Sequence, residues 1–132
     1  MKTIIVLLVG LLAGAVLATT AIGALAARDR YPTSVMVVMQ ANLSALQRGL
    51  RAQDCGLPDA DRHVRQLGAL ATEIPRAFAM LERESADFIR SREVLEDTVR
   101  TTLARPPADC EALNRSVTAI AQSCDACHNG HR

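Results

Sequence analysis

The last nine residues constrain this chain of 132 more than any other stretch: Cys124-Asp125-Ala126-Cys127-His128-Asn129-Gly130-His131-Arg132. Two cysteines separated by two residues, with a histidine directly after the second, form the attachment pattern for a c-type haem. The spacing lets each sulfur reach one vinyl group on the same edge of the ring. His128 is then held under the iron, where its imidazole can serve as the proximal axial ligand. A zinc site would need two more Cys or His ligands at paired spacing, and Cys55 and Cys110 form no such pair. A thioredoxin-type redox pair would need a strand before it and a helix after it, but the chain runs only four residues past His128.

Haem attachment of this kind follows export, and the front of the chain has the pattern of an export signal. Lys2 is the only charge before Arg28, Ile4 to Leu17 is strongly apolar, and Ala24-Leu25-Ala26 has the A-x-A form of a signal peptidase site. Residues 1–26 read as a signal peptide, with cleavage before Ala27. The competing reading is a retained anchor through residues 4–27, an uncharged run of sufficient length to span a bilayer as a helix. Both put residues 27–132 outside the cytoplasm, in a bacterium the periplasm, either free or anchored to the inner membrane.

The remainder suits one small domain. Fifteen basic residues oppose 14 acidic ones, which excludes the basic excess of a nucleic-acid-binding surface. Aromatic residues make up 2% and there is no Trp, a poor composition for a β-sandwich or barrel. No glycine-rich phosphate loop, nucleophile elbow or internal repeat is present.

Apolar residues recur at steps of three and four, the helical period. Met36, Met39, Leu43, Leu46 and Leu50 mark a first helix over about 32–51, with Pro32 in its opening turn. Asp59 or Asp61 can cap a second helix carrying Val64, Leu67, Ala71, Ile74, Phe78 and Leu81. Pro75 should kink that helix without ending it, and Glu82-Arg83-Glu84-Ser85 reads as the next break. Phe88, Ile89, Leu95, Val99 and Leu103 mark a third helix, stopped by Pro106-Pro107. Asp109 can cap a fourth, whose stripe of Cys110, Leu113, Val117, Ile120, Cys124 and Cys127 carries the motif cysteines into the core. The expected fold is therefore all-α: an antiparallel up-down-up-down four-helix bundle with one covalently bound haem. In that topology the first and third links share the end opposite the haem. Cys55 and Cys110 are then candidates for a disulfide, with two free buried thiols as the alternative.

A C-terminal C-x-x-C-H on the last of four amphipathic helices resembles the cytochrome c prime type, the class II c-type cytochromes. Arg132, four residues after His128, and Ile74-Pro75-Arg76-Ala77-Phe78 match the family pattern as well. The likeness covers about residues 30–132. It implies one haem c iron per chain, with Arg132 as a candidate propionate contact. The family's arginine early in the first helix is replaced here by Pro32-Thr33, which leaves Arg28 or Arg30 as candidates for that contact. The resemblance also bears on the sixth iron position. High-spin members block it with a bulky apolar group and bind nitric oxide or carbon monoxide. A low-spin branch fills it with a Met and carries electrons. Alignment along the first helix puts Met36 at that position, with Met39 one turn deeper as the second choice.

The expected function is a one-haem electron carrier, ligated by His128 and Met36, that does no chemistry on a substrate. A gas-binding five-coordinate protein and a haem subunit of a membrane-associated oxidoreductase are the alternatives. The expected partner is a redox protein, not nucleic acid, and both monomer and homodimer remain open.

Overall fold

The computed structural model describes residues 2–79 and 85–130, with the side chains of 2–9, 21 and 24–29 outside the description. These residues form four α-helices and no strand: α1 (Lys2–Arg51), α2 (Leu57–Phe78), α3 (Ala86–Ala104) and α4 (Cys110–Gly130). Contacts join α1 to α2, α2 to α3, α3 to α4 and α1 to α4, so the four helices surround one core.

α1 is longer than the sequence pattern suggested. It does not begin at Pro32 but runs through it from Lys2. Proline removes one backbone donor, and the Ala- and Leu-rich run before it has the propensity to carry a helix past one missing bond. Residues 10–20 of this extension are exposed, Leu11 and Leu17 among them; packing against the core begins at Pro32 and Val35. Among the described residues no helix is long and apolar enough to cross a membrane. The cleavage motif Ala24-Leu25-Ala26 and much of the apolar run fall among the side chains outside the description.

α1 closes on a backbone motif that the sequence did not advertise. Gln53 adopts φ 55°, the left-handed conformation that usually calls for glycine. Its N–H donates to the Leu50 carbonyl at 3.1 Å, and the Asp54 N–H donates to the Gly49 carbonyl at 3.1 Å. A Cβ on Gly49 would stand 3.0 Å from the Asp54 carbonyl oxygen, so the tight closure depends on glycine there. This turn delivers Cys55 to Cys110. The two form a disulfide with a Cα–Cα separation of 5.5 Å, within the usual range for such bridges.

The start of α2 differs from expectation. Gly56, not Asp59 or Asp61, is the N-cap, and no side chain caps the helix. Both carboxylates are engaged one turn further on, Asp59 with Arg62 at 3.0 Å and Asp61 with Arg65 at 2.7 Å. α2 continues past Pro75 to Phe78. The expected break at 82–84, together with Leu81, lies outside the described residues, but Ser85 caps α3 by accepting from the Phe88 N–H at 3.1 Å. Asp109 caps α4 as its position suggests, accepting from the Ala112 N–H at 2.7 Å.

The apolar stripes meet in one core. Leu67, Val99 and Ile120 are its most enclosed large side chains. Phe78 and Phe88 pack with ring centroids 5.4 Å apart and planes tilted by 46°, a favourable aromatic geometry that ties the end of α2 to the start of α3.

Candidate haem site

α4 carries the motif, and its local packing decides where the cysteines face. Leu113, Val117 and Ile120 are buried as the stripe requires, but in the next turn the buried residue is Ser123. Its hydroxyl donates to the Ala119 carbonyl at 3.0 Å and lies 3.3 Å from the Thr98 hydroxyl of α3. Ser123 thus takes the contact with α3, leaving Cys124 and Cys127 half-buried on the adjoining face. Residues three apart lie together on a helix, and both thiols are free.

Both border a cavity of about 700 Å³, within the roughly 300–1,000 Å³ typical of cofactor sites. α1 contributes Thr33, Met36, Val37, Met39 and Gln40 to its wall; α2 contributes Ile74 and Phe78; α3 contributes Phe88, Arg92 and Leu95. From α4 come Ala121, Cys124, Asp125, Cys127 and His128. A slot with aliphatic, aromatic and thioether walls, two free thiols and one imidazole suits a flat apolar macrocycle attached along one edge. Among the described residues no group of three or more His, Cys, Asp or Glu is disposed to hold a bare metal ion.

Burial pushes the Cys124 thiol up to about 11, with the Asp125 carboxylate and Cys127 adding to the effect. Burial also raises the Cys127 thiol. Both sulfurs therefore stay protonated at neutral pH, which suppresses thiolate reactions such as disulfide exchange. His128 lies exposed in the last turn of α4 while still bordering the cavity.

The two methionines share the cavity but differ in setting. Met39 is 5% exposed and belongs to the core; Met36 is half-buried at its edge. Arg30 is exposed, and its backbone carbonyl accepts from the Ser34 hydroxyl at 2.8 Å. The side chain of Arg28, and Arg132 and Met80 altogether, lie outside the described residues. His63, at the polar start of α2, is half-buried, with Nδ1 2.8 Å from Asn42 Oδ1. Asn42 is itself buried and donates to the Val38 carbonyl at 2.9 Å.

Sequence reasoning did not single out Arg92 or Gln40. A signal for Arg92 was there: it stands four residues after Phe88 and three before Leu95, on the inward edge of α3. No protein-family model, curated protein or solved structure matches this chain.

Proposed function

We propose that this chain is an exported one-haem c-type cytochrome of the cytochrome c prime type, an electron carrier built as an antiparallel up-down-up-down four-helix bundle. One observation carries the reading: the C-x-x-C-H residues Cys124, Cys127 and His128 border the same largely apolar cavity as Met36 and Met39. The topology is inferred from two ties. The Cys55–Cys110 disulfide joins the α1–α2 link to the start of α4, and the Phe78–Phe88 contact joins the end of α2 to the start of α3. The apolar run ending in Ala24-Leu25-Ala26 supports export.

In this reading haem c supplies a one-electron couple between ferrous and ferric iron. The chain does the rest. Cys124 and Cys127 fix one ring edge through thioethers. His128 would offer an imidazole nitrogen to the iron, and Met36 would offer a thioether sulfur, with Met39 as the second choice. The apolar wall of Ile74, Phe78, Phe88 and Leu95 keeps water away and limits reorganisation when charge changes. Methionine in the axial position also raises the potential relative to a second imidazole.

Met36→Leu tests the assignment. The volumes are similar, and such swaps usually cost less than about 1.5 kcal/mol, so the fold should survive. The absorption spectrum should change from low-spin to high-spin, the potential should fall, and ferrous protein should bind carbon monoxide much faster. Met39→Leu should do none of this. If only Met39→Leu changes the spin state, Met39 is the ligand. If both variants keep the wild-type spectrum and carbon monoxide kinetics, neither methionine is the ligand, and a gas-binding protein becomes the better reading.

A further inference from the structure

We propose that Arg92, on α3, is the propionate anchor of the haem pocket; the proposal rests on the haem reading and extends it to how the ring is oriented. Arg92 differs from the other paired arginines. Its side chain is 19% exposed, against 61–79% for the remaining arginines in ion pairs. Its own pairs are long, 3.7 Å to Glu96 and 4.0 Å to Glu93, and neither reaches hydrogen-bond length. A guanidinium carries five N–H donors in a rigid fork, and removing such a charge from water is costly unless those donors are satisfied. Two carboxylates of its own helix, too distant for hydrogen bonds, do not satisfy them.

The cavity provides the missing partner. Among the described residues Arg92 is the only Lys or Arg on its wall. The only carboxylate there is Asp125, which directly follows Cys124. The cavity is thus electrically polarised, with negative charge beside the thiols and positive charge on α3. A haem has the matching asymmetry: vinyl groups on one side of the ring and two propionates on the other. With the vinyl edge bonded to Cys124 and Cys127, Asp125 disfavours propionates at that edge, and Arg92 favours them at its own. The pairing is charge-assisted and can be bidentate. It sets the in-plane orientation of the ring and keeps a positive charge near the iron, which favours the ferrous state. Arg30, in contrast, is exposed.

The test uses the holoprotein and two readouts: the propionate-bending band in resonance Raman, and the midpoint potential from pH 5 to 9. Among the described residues, Arg92 is paired with Glu93 and Glu96 on α3, and it shares the cavity wall with Asp125, His128 and the two motif cysteines on α4. Arg92→Gln should shift the band toward weaker hydrogen bonding, lower the potential, and steepen its fall with pH as the unpaired propionate gains proton affinity. Arg92→Lys should retain most of the potential, because the point charge remains, but should still shift the band, because the fork is lost. Glu96→Gln removes a competitor for the guanidinium and should shift the band in the opposite direction. A native spectrum with unchanged band and unchanged potential–pH curve in Arg92→Gln overturns the proposal. If that variant yields no holoprotein, an unshifted band in Glu96→Gln overturns it instead. Failure of the haem reading looks different: the wild-type chain would then carry no haem that survives acid-acetone extraction.

Discussion

The region around Cys55 and Cys110 and the region around Cys124 and Cys127 are built by opposite means. In the first, the chain completes itself. The turn at Gln53, the disulfide, and the buried Leu46, Val64, Leu113 and Val117 close the chain on itself, with cavities of only about 160 and 210 Å³ beside them. In the second, the same four helices diverge around about 700 Å³ bordered by thiols, thioethers and an imidazole. A small domain has limited core to stabilise it. Here the core runs through both regions, but the covalent tie lies in the first alone, and the large cavity in the second.

Breaking the tie should have the largest effect. The bridge spans 55 residues of sequence, and closing a loop of that length stabilises by about 4 kcal/mol in the chain-entropy model. Cys55→Ser with Cys110→Ser should lower stability by that order in urea unfolding. A loss of less than about 1 kcal/mol would mean that the helices hold this region without the bridge.

Truncation should separate the two regions next. Leu67 is 1% exposed, and Leu67→Ala should cost about 3 kcal/mol, because a fully packed site collapses poorly. Met36→Ala removes a half-buried side chain that already borders the cavity. In the haem-free chain it should cost clearly less than Leu67→Ala by the same measurement, because less of the side chain is packed and the cavity is already there. Equal costs would erase the contrast.

Alkali should sharpen it further. The Cys124 thiol is raised from 9.0 to about 11, so between those values the unfolded chain loses a proton that the folded chain retains. The stability due to the buried neutral thiol is present below pH 9 and falls as pH rises toward 11. Unfolding midpoints across pH 8–11 should show this decline in the haem-free chain with its Cys55–Cys110 bridge intact. Cys124→Ser should shrink it to the part owed to the raised Cys127 thiol, and on the proposed reading the haem-bearing protein would lose it, since a thioether has no proton to lose.

The smallest effect should be a gain. Gln53 has φ 55°, where glycine is unstrained, and Gln53→Gly should stabilise by about 0.5 kcal/mol. No gain in thermal unfolding would show that the turn is held by its two backbone bonds regardless of residue.

Much of this architecture is legible in residue spacing. The stripes through Val64-Leu67-Ala71-Ile74 and Leu113-Val117-Ile120 repeat at the helical period, and their burial follows. Asp109 before an apolar run reads as a cap because short acidic side chains reach free N–H groups. Cys55 and Cys110 stand out as a candidate pair because short links between four helices bring the first and third links to one end, and the bridge forms there. What escaped reading was decided by neighbours distant in sequence. Whether Ser123 or Cys124 contacts α3 depends on Thr98, 25 residues away. Whether His63 is solvated depends on Asn42, on another helix. The role given to Arg92 depends on three other helices that border the cavity with it. The extension of α1 through Pro32 was missed for another reason: a proline within a helix-favouring run marks a start or a continuation equally well.

The distribution of the four cysteines along the fold also bears on how the chain matures. Four thiols allow three complete pairings, and two of them would join each motif cysteine to Cys55 or Cys110. Along α4, Cys110 and Cys124 are separated by roughly 21 Å of helix at 1.5 Å per residue. Once α1 and α4 have docked, Cys55 can therefore reach Cys110 and neither of the other two. Exchange could still scramble the bridge if a motif sulfur attacked it, but attack requires a thiolate, and Cys124 is held protonated to about pH 11. The fold thus acts as its own sorting device, committing one pair of sulfurs to each other and leaving the second pair free, as the proposed attachment to haem would require.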